Sequence, residues 1–139
     1  MAERLHLQVL TPERKVLEAE VDHVEVPGLD GALGILPGHT ELVSQLKPAG
    51  LLTYAAGDQR GELAISDGFV EISRNKVIVL ADDATKPEDI DLARALELKD
   101  RAAARLLRAQ TDPDIDVARA TIELERASIE LQMAQKFHA

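Results

Sequence analysis

Cysteine is absent from this chain, and so is tryptophan. The first absence excludes a disulfide framework, a thiol nucleophile and a thiolate metal site. Aromatic residues make up only 2% of the sequence, so its core must be aliphatic. Binding of nucleic acid by base stacking, which needs several aromatic platforms, is nearly excluded. Positive charge is also scarce, with 16 Lys and Arg against 25 Asp and Glu and a formal net charge of -9. Such a surface repels a phosphate backbone, because counterion release needs clustered cations. No apolar run approaches the roughly 20 residues that cross a bilayer. "MAERLHLQVL" lacks the basic region and long apolar stretch of a signal peptide. The expectation is a cytoplasmic address, with any membrane contact made through partners.

What is present is 139 residues, 45% of them hydrophobic. That suffices for one medium core, or for a smaller core with an appended element. From Leu5 to about Ala81 the apolar spacing is mostly two, as in Leu5, Leu7, Val9 and in Val24, Val26, which marks strands covered on one face. Breakers recur at Pro12, Pro27-Gly28, Asp30-Gly31, Pro37-Gly38, Gly57-Asp58, Gly61, Asp67-Gly68 and Arg74-Asn75. They predict short strands in a sandwich or barrel, with no long helix. Asp67-Gly68 is the expected tight hairpin between "GELAIS" and "FVEIS", and Asn75 a second one.

After Ala84 the texture changes. "TKPEDIDLARALELKDRAAARLLRAQ" predicts a helix entered at Thr85 or Lys86 before Pro87, with acids in its first turn and Arg105 and Arg108 in its last. "TDPDIDVARATIELERASIELQMAQK" predicts another, capped by Asp112 with Pro113 at the first helical position. The short break between them, around residues 110–112, implies a hairpin. Expected packing stripes are Ile90, Ala93, Leu96, Leu107 and alanines 102–104 on the first helix. On the second they are Ile115, Ala118, Ile122, Ile129, Met133 and, beside these, Val117, Leu124, Leu131. Burying one Leu or Ile contributes about 1.5–3 kcal/mol and ordering one residue costs about 1–2 kcal/mol, so such a hairpin is marginally held. The fold class is therefore a mainly β N-terminal sandwich, residues 1–84, followed by a C-terminal α-helical hairpin, residues 85–139. Most of the negative charge is in the first half, which carries 7 basic against 14 acidic residues; the second carries 9 against 11.

No catalytic constellation can be assembled from these residues. His6, His23, His39 and His138 form no HExxH pattern or close His/Asp cluster. Ser44 and Ser66 lack the GxSxG turn of a hydrolase nucleophile, and no Gly-rich phosphate loop is present. What stands out is "GALGILPGHTELV", residues 31–43, where glycines and a Pro-Gly pair interrupt an apolar run around His39.

That loop, preceded by "TPERKVLEAEVDHVEVP" and followed by "ISDGFVEISRNKVIVLADDA" and "IDLARA", resembles the epsilon subunit of bacterial F-type ATP synthase over the whole chain. Gly31, Leu33, Gly34, Ile35, Leu36, Pro37, Gly38, His39 and Leu42 match the family's usual loop. The resemblance implies a non-catalytic rotor subunit on the cytoplasmic side of the bacterial cell membrane. Its sandwich would bind the gamma stalk and the c-ring, coupling proton-driven ring rotation to the alpha/beta catalytic hexamer. Its helices would inhibit ATP hydrolysis, folded down in one state and extended along the stalk in the other. The ring contacts would be Asp30, Gly31, Ala32 and His39; the family can carry a glutamate at Ala32, so one polar contact is either missing here or replaced, with Asp30 as the candidate.

The resemblance also implies ATP as a regulatory ligand, with no cofactor required. Ile90, Asp91, Arg94, Ala95, Arg101 and Arg126 match the nucleotide pattern. Thr85 stands where such a site has a glutamate, and Glu130 where a second-helix arginine would approach the phosphates. That carboxylate reverses the sign of one contact and lowers the expected affinity. Arg105, Arg108, Arg119 and Arg126 would meet acidic segments of the catalytic subunits; taken singly, each reads as a solvated helix-face residue. The chain in isolation should be a monomer. Two readings from other classes stay open: a free-standing sandwich scaffold whose hairpin drives oligomerisation, and a small hydrolase, which needs a site the sequence does not supply.

Overall fold

The structure is a computed structural model that describes residues 3–138. The chain divides after Lys86 into two compact units, two residues beyond the expected boundary because the last strand runs through Thr85.

Period-two alternation builds the first unit. In β1 (Leu5–Leu10) Leu5, Leu7 and Val9 are fully buried, while His6, Gln8 and Leu10 take the opposite face. There follow β2 (Lys15–Val21), β3 (His23–Gly28), β4 (Gly31–Ile35), β5 (Leu42–Gln45), β6 (Gly50–Ala56), β7 (Gln59–Ser73) and β8 (Lys76–Thr85). The strand order is β2-β1-β8-β7-β6-β3-β4, with β5 also on β7. β1 and β8 run parallel, and the other pairs antiparallel. β7 serves both layers of this sandwich. Its residues 59–65 pair with β6, and its residues 69–72 pair with β5. Between the layers lie Val24, Val26, Ile35, Leu46, Leu52, Leu63, Ile65, Val70, Ile72 and their neighbours.

Asp67-Gly68 is not a hairpin turn. Both residues have the positive φ that the sequence implied, 52° and 127°, yet they lie inside β7, where its neighbour on one side changes from β6 to β5. The pairs Ser66–Asp83 and Gly68–Ala81 keep one register with β8 across this kink. The Asp67 N–H donates to the Lys47 carbonyl at 3.0 Å, and the Gly68 carbonyl accepts from the Leu46 N–H at 2.9 Å. A Cβ on Gly68 would run into the Leu80 carbonyl, so the close approach as well as the φ demands glycine. The chain reverses instead at Arg74 and Asn75, φ 50° and 63°, between the paired residues Ser73 and Lys76. Two left-handed central residues match the twist of a two-residue hairpin. β7 is consequently 15 residues long, and not the short strand that its internal glycines suggested.

The second unit holds a single 3-10 turn (Pro87–Asp89), α1 (Leu92–Arg108) and α2 (Val117–Phe137). Both helices begin later than the sequence predicts. Asp91, not Thr85 or Lys86, caps α1, its carboxylate accepting the Arg94 N–H at 3.1 Å. Asp116, not Asp112, caps α2 in the same way through the Arg119 N–H at 3.1 Å. The Asp112 side chain instead accepts the Asp114 N–H at 3.0 Å, a local turn that competes with helix entry. The connection therefore spans residues 109–116, longer than expected.

The packing stripes follow the sequence reading only in part, with Ile90 and Ala102 buried as expected. α1 and α2 meet along Ala95 and Ala102 on one side and Ala120, Ala127 and Ala134 on the other, seven residues apart and buried. Leu131 and Met133 are buried as well, but Leu96, Leu107, Val117 and Ile122 are exposed, Leu107 at 68%. The sequence does not rank a leucine stripe against an alanine stripe on the same helix. Close backbone approach selects the alanines, since a larger side chain at these positions would hold the helices apart.

Candidate functional site

A groove of about 600 Å³ runs along one side of the hairpin, lined by Arg94, Leu98, Arg101, Ala102 and Arg105 of α1 and Glu123, Arg126, Ala127 and Glu130 of α2. A volume of that order suits a small ligand. Successive turns of α1 put Arg94, Arg101 and Arg105 on one edge. Of the residues expected around ATP, the fold brings together Arg94, Arg101 and Arg126. It does not bring the other three into the lining. Asp91 is engaged as the α1 cap, Ile90 precedes it and is buried, and Ala95 belongs to the interhelical seam.

Arg105 joins the groove instead, a position the sequence assigned to contacts with other subunits. It bonds Glu123 across the helices at 2.7 Å, and Arg119 reaches the same carboxylate at 3.3 Å. Arg101 pairs with Glu97 at 2.6 Å, and Arg126 with Glu130 at 3.7 Å. Four arginines thus face three glutamates of the same unit, and an incoming anion must compete with those carboxylates. Arg108 is exposed in the last turn of α1, where a cation suits the helix dipole.

On the sandwich, the register assembles an outward face that the sequence reading missed. Gln45, Phe69, Leu80 and Leu10 form one cross-strand row; Val43, Glu71, Ile78 and Gln8 form the next. Val43 is 67% exposed and Phe69 52% exposed, with Leu80 beside it also exposed. The signal was available: within "FVEIS" and "KVIVLA", Phe69, Ile78 and Leu80 fall in the phase opposite to the buried Val70, Ile72, Val77 and Val79.

The β1–β2 corner of this face is ionic. The two ring nitrogens of His6 lie 2.6 Å from Glu20 and 2.7 Å from Glu18, an arrangement that suits the imidazolium, which donates at both. Glu20 first, then Glu18, raises the His6 pKa. Hydrogen bonds from Lys15, Gln8 and His6, in that order, lower the Glu18 pKa to about 2. Among the described residues no group of three or more His, Asp or Glu is arranged to hold a metal ion.

The four expected ring contacts separate into two tips. Asp30 and Gly31 close the β3–β4 turn, with exposed Ala32 just inside β4. His39 follows the other end of β4. The first and last of the five residues of β4 are about 13 Å apart at 3.3 Å per residue. The first tip lies beside the end of β5, where the Leu29 N–H donates to the Gln45 carbonyl at 2.9 Å. At the second, Leu36 is 62% exposed, His39 is half-buried, and the His39 Nδ1 lies 2.7 Å from the Thr40 carbonyl.

These features define a class: a β-sandwich followed by a two-helix hairpin, with exposed apolar residues on the first and a basic groove on the second. Family models agree on both parts. Residues 4–87 match the beta-sandwich domain of the ATP synthase Delta/Epsilon chain, and residues 88–135 match its long alpha-helix domain. The ATP synthase epsilon chain of Nitratidesulfovibrio vulgaris is 44% identical over 125 residues, covering 90% of this chain and 91% of that one. That of Desulforamulus reducens is 41% identical over 135 residues, covering 97% and 100%. The chain belongs to the ATP synthase delta/epsilon chain family. Among solved structures, one chain in the cryo-EM structure of the Euglena gracilis mitochondrial ATP synthase (OSCP/F1/c-ring, rotational state 1) shares the fold. Its TM-score is 0.79 at 23% identity, with coverage of 97% of this chain and 83% of that chain.

Proposed function

We propose that this chain is a non-catalytic central-stalk subunit of a proton-translocating F-type ATP synthase, peripheral to the cytoplasmic side of the membrane. The observation that carries the reading is the contrast between the units: a stiff sandwich with an uncovered apolar sheet face, and a hairpin closed mainly by alanines. The Val43, Phe69 and Leu80 face has the character of a protein-binding surface and would grip the gamma stalk. The tips at residues 30–32 and 36–39 would meet the c-ring. Among the described residues no helix is long and apolar enough to cross a membrane, which suits attachment through partners. The hairpin would act on the alpha/beta hexamer as a brake on hydrolysis through Arg108, Arg119 and neighbouring cations.

In reconstituted enzyme, deletion of residues 87–139 should raise ATP hydrolysis severalfold while leaving ATP-driven proton pumping intact. Unchanged hydrolysis would remove the brake; lost assembly would show that the hairpin is needed for attachment. Because the chain has no cysteine, a single Cys at Ala32 or His39 reports its own cross-link. Each should join a Cys in the polar loop of a c subunit, and silence at both positions would retire the ring contact. ATP is the regulatory ligand proposed for the groove, bound weakly because Glu123 and Glu130 occupy its arginines. Calorimetric titration of the full chain tests this, and a Kd above millimolar would dismiss nucleotide sensing without touching the mechanical role.

A further inference from the structure

Asn75 reverses the chain in a left-handed conformation that asparagine tolerates better than most residues. Its carboxamide reaches a segment 37 residues earlier, where its Oδ1 accepts the Gly38 N–H at 2.7 Å. Its backbone carbonyl accepts the His6 N–H at 2.8 Å, and its Nδ2 donates to Glu3 at 3.4 Å. Within the tip the backbone bracing is local. The His39 N–H returns to the Leu36 carbonyl at 3.1 Å, and no atom of another segment lies within 4 Å of where a Gly38 side chain would begin. Those contacts set the shape of the tip but not its location.

We infer that Asn75 is the positioning residue of this tip: by holding the Gly38 N–H, its carboxamide determines where Leu36 and His39 are presented to a partner chain. Asn75 ties residues 36–39 to the β7–β8 turn and to the start of β1, so the presented loop moves with the rigid ladder. The sequence showed Asn75 only as a turn residue. The inference rests on the reading that the tip faces a partner, and the two halves of its test come apart on that point.

Asn75→Gly keeps the left-handed turn and deletes the acceptor. Asn75→Asp keeps an oxygen for Gly38, charge-assisted, and gives up the donor to Glu3. Arg74→Gly relaxes the same turn without touching the tether. In amide hydrogen exchange on the full chain, Asn75→Gly should speed Gly38 and His39 about threefold to tenfold, the range for one lost hydrogen bond. Amides of β7 and β8 should be unaffected, and the other two variants should match the parent. Unaltered Gly38 exchange in Asn75→Gly, or an equal rise in Arg74→Gly, overturns the tether. In the assembled enzyme, Asn75→Gly should lower protons pumped per ATP severalfold, and Asn75→Asp should restore them. Faster exchange with full coupling would leave the tether standing and remove the tip from the partner interface.

Discussion

The two units spend their apolar residues in opposite ways. In the sandwich, Leu, Ile and Val side chains such as Leu5, Leu52, Ile65 and Ile72 are at most 1% exposed. In the hairpin the contact between helices is made chiefly by alanines, and Leu96, Leu107 and Val117 face outward. A buried Leu or Ile contributes about 1.5–3 kcal/mol, against about 0.8 kcal/mol for a single methyl or methylene group. An alanine seam therefore holds two helices close while stabilising them little. The sandwich thus rests on large buried side chains, and the seam between the two helices chiefly on small ones.

Four experiments can break or sharpen that contrast. The largest effect is expected at Gly68 in β7. Gly68→Ala adds an atom against the Leu80 carbonyl at a φ of 127° and should cost about 3 kcal/mol. Urea unfolding followed through Tyr54, the one tyrosine, measures it, and a shift under 1 kcal/mol would mean the kink is not strained by a side chain. Next comes the seam. Ala127→Leu should destabilise the hairpin by about 1–3 kcal/mol through overpacking, whereas Leu107→Ala should change it by less than about 0.5 kcal/mol. Helical circular dichroism during melting separates them, and the reverse ranking would restore the leucine-stripe packing.

A third, smaller pair of variants tests where α2 begins. Asp116→Ala should cost about 1 kcal/mol, with Asp112→Ala close to neutral; equal losses would argue for an earlier start. The smallest effect is a pH dependence at the β1–β2 corner. The raised pKa of His6 means that its contribution is complete below the ordinary value of 6.5 and is lost as pH rises through the raised one. The lowered pKa of Glu18 contributes above its ordinary 4.5 and is lost as pH falls toward about 2. The Tyr54 urea midpoint should thus decline gently on the alkaline side. His6→Gln should flatten that decline and leave the acid limb, where Lys15 is the first partner of Glu18.

Much of this was legible before any coordinates. The β half declared itself by alternation, as in Leu5, Leu7 and Val9. The two helices did so by their Ala-, Leu- and Glu-rich runs, while Pro87 and Pro113 placed their starts too early. Positive φ at Asp67 and Asn75 was also readable, because the residue types that accept it are few. The failures share one cause. Whether Asp67-Gly68 turns the chain or kinks a continuing strand depends on which strand lies alongside, and that is not a local property. Asp112 and Asp116 have the same capping chemistry, but only Asp116 sits where α2 begins. Arg94, Arg101 and Arg126, which matched the nucleotide pattern, line one groove, and Arg105 enters it because Glu123 lies opposite on another helix.

Local residue preference and apolar period determined by themselves that this chain has an all-strand half, a helical half and no cysteine or nucleotide-loop chemistry, because those depend on neighbours a few positions away. Tertiary structure alone decided which alanines form the seam and that Asn75 reaches Gly38. Each of these is a contact between distant segments, and its geometry exists only once strands and helices have chosen their partners.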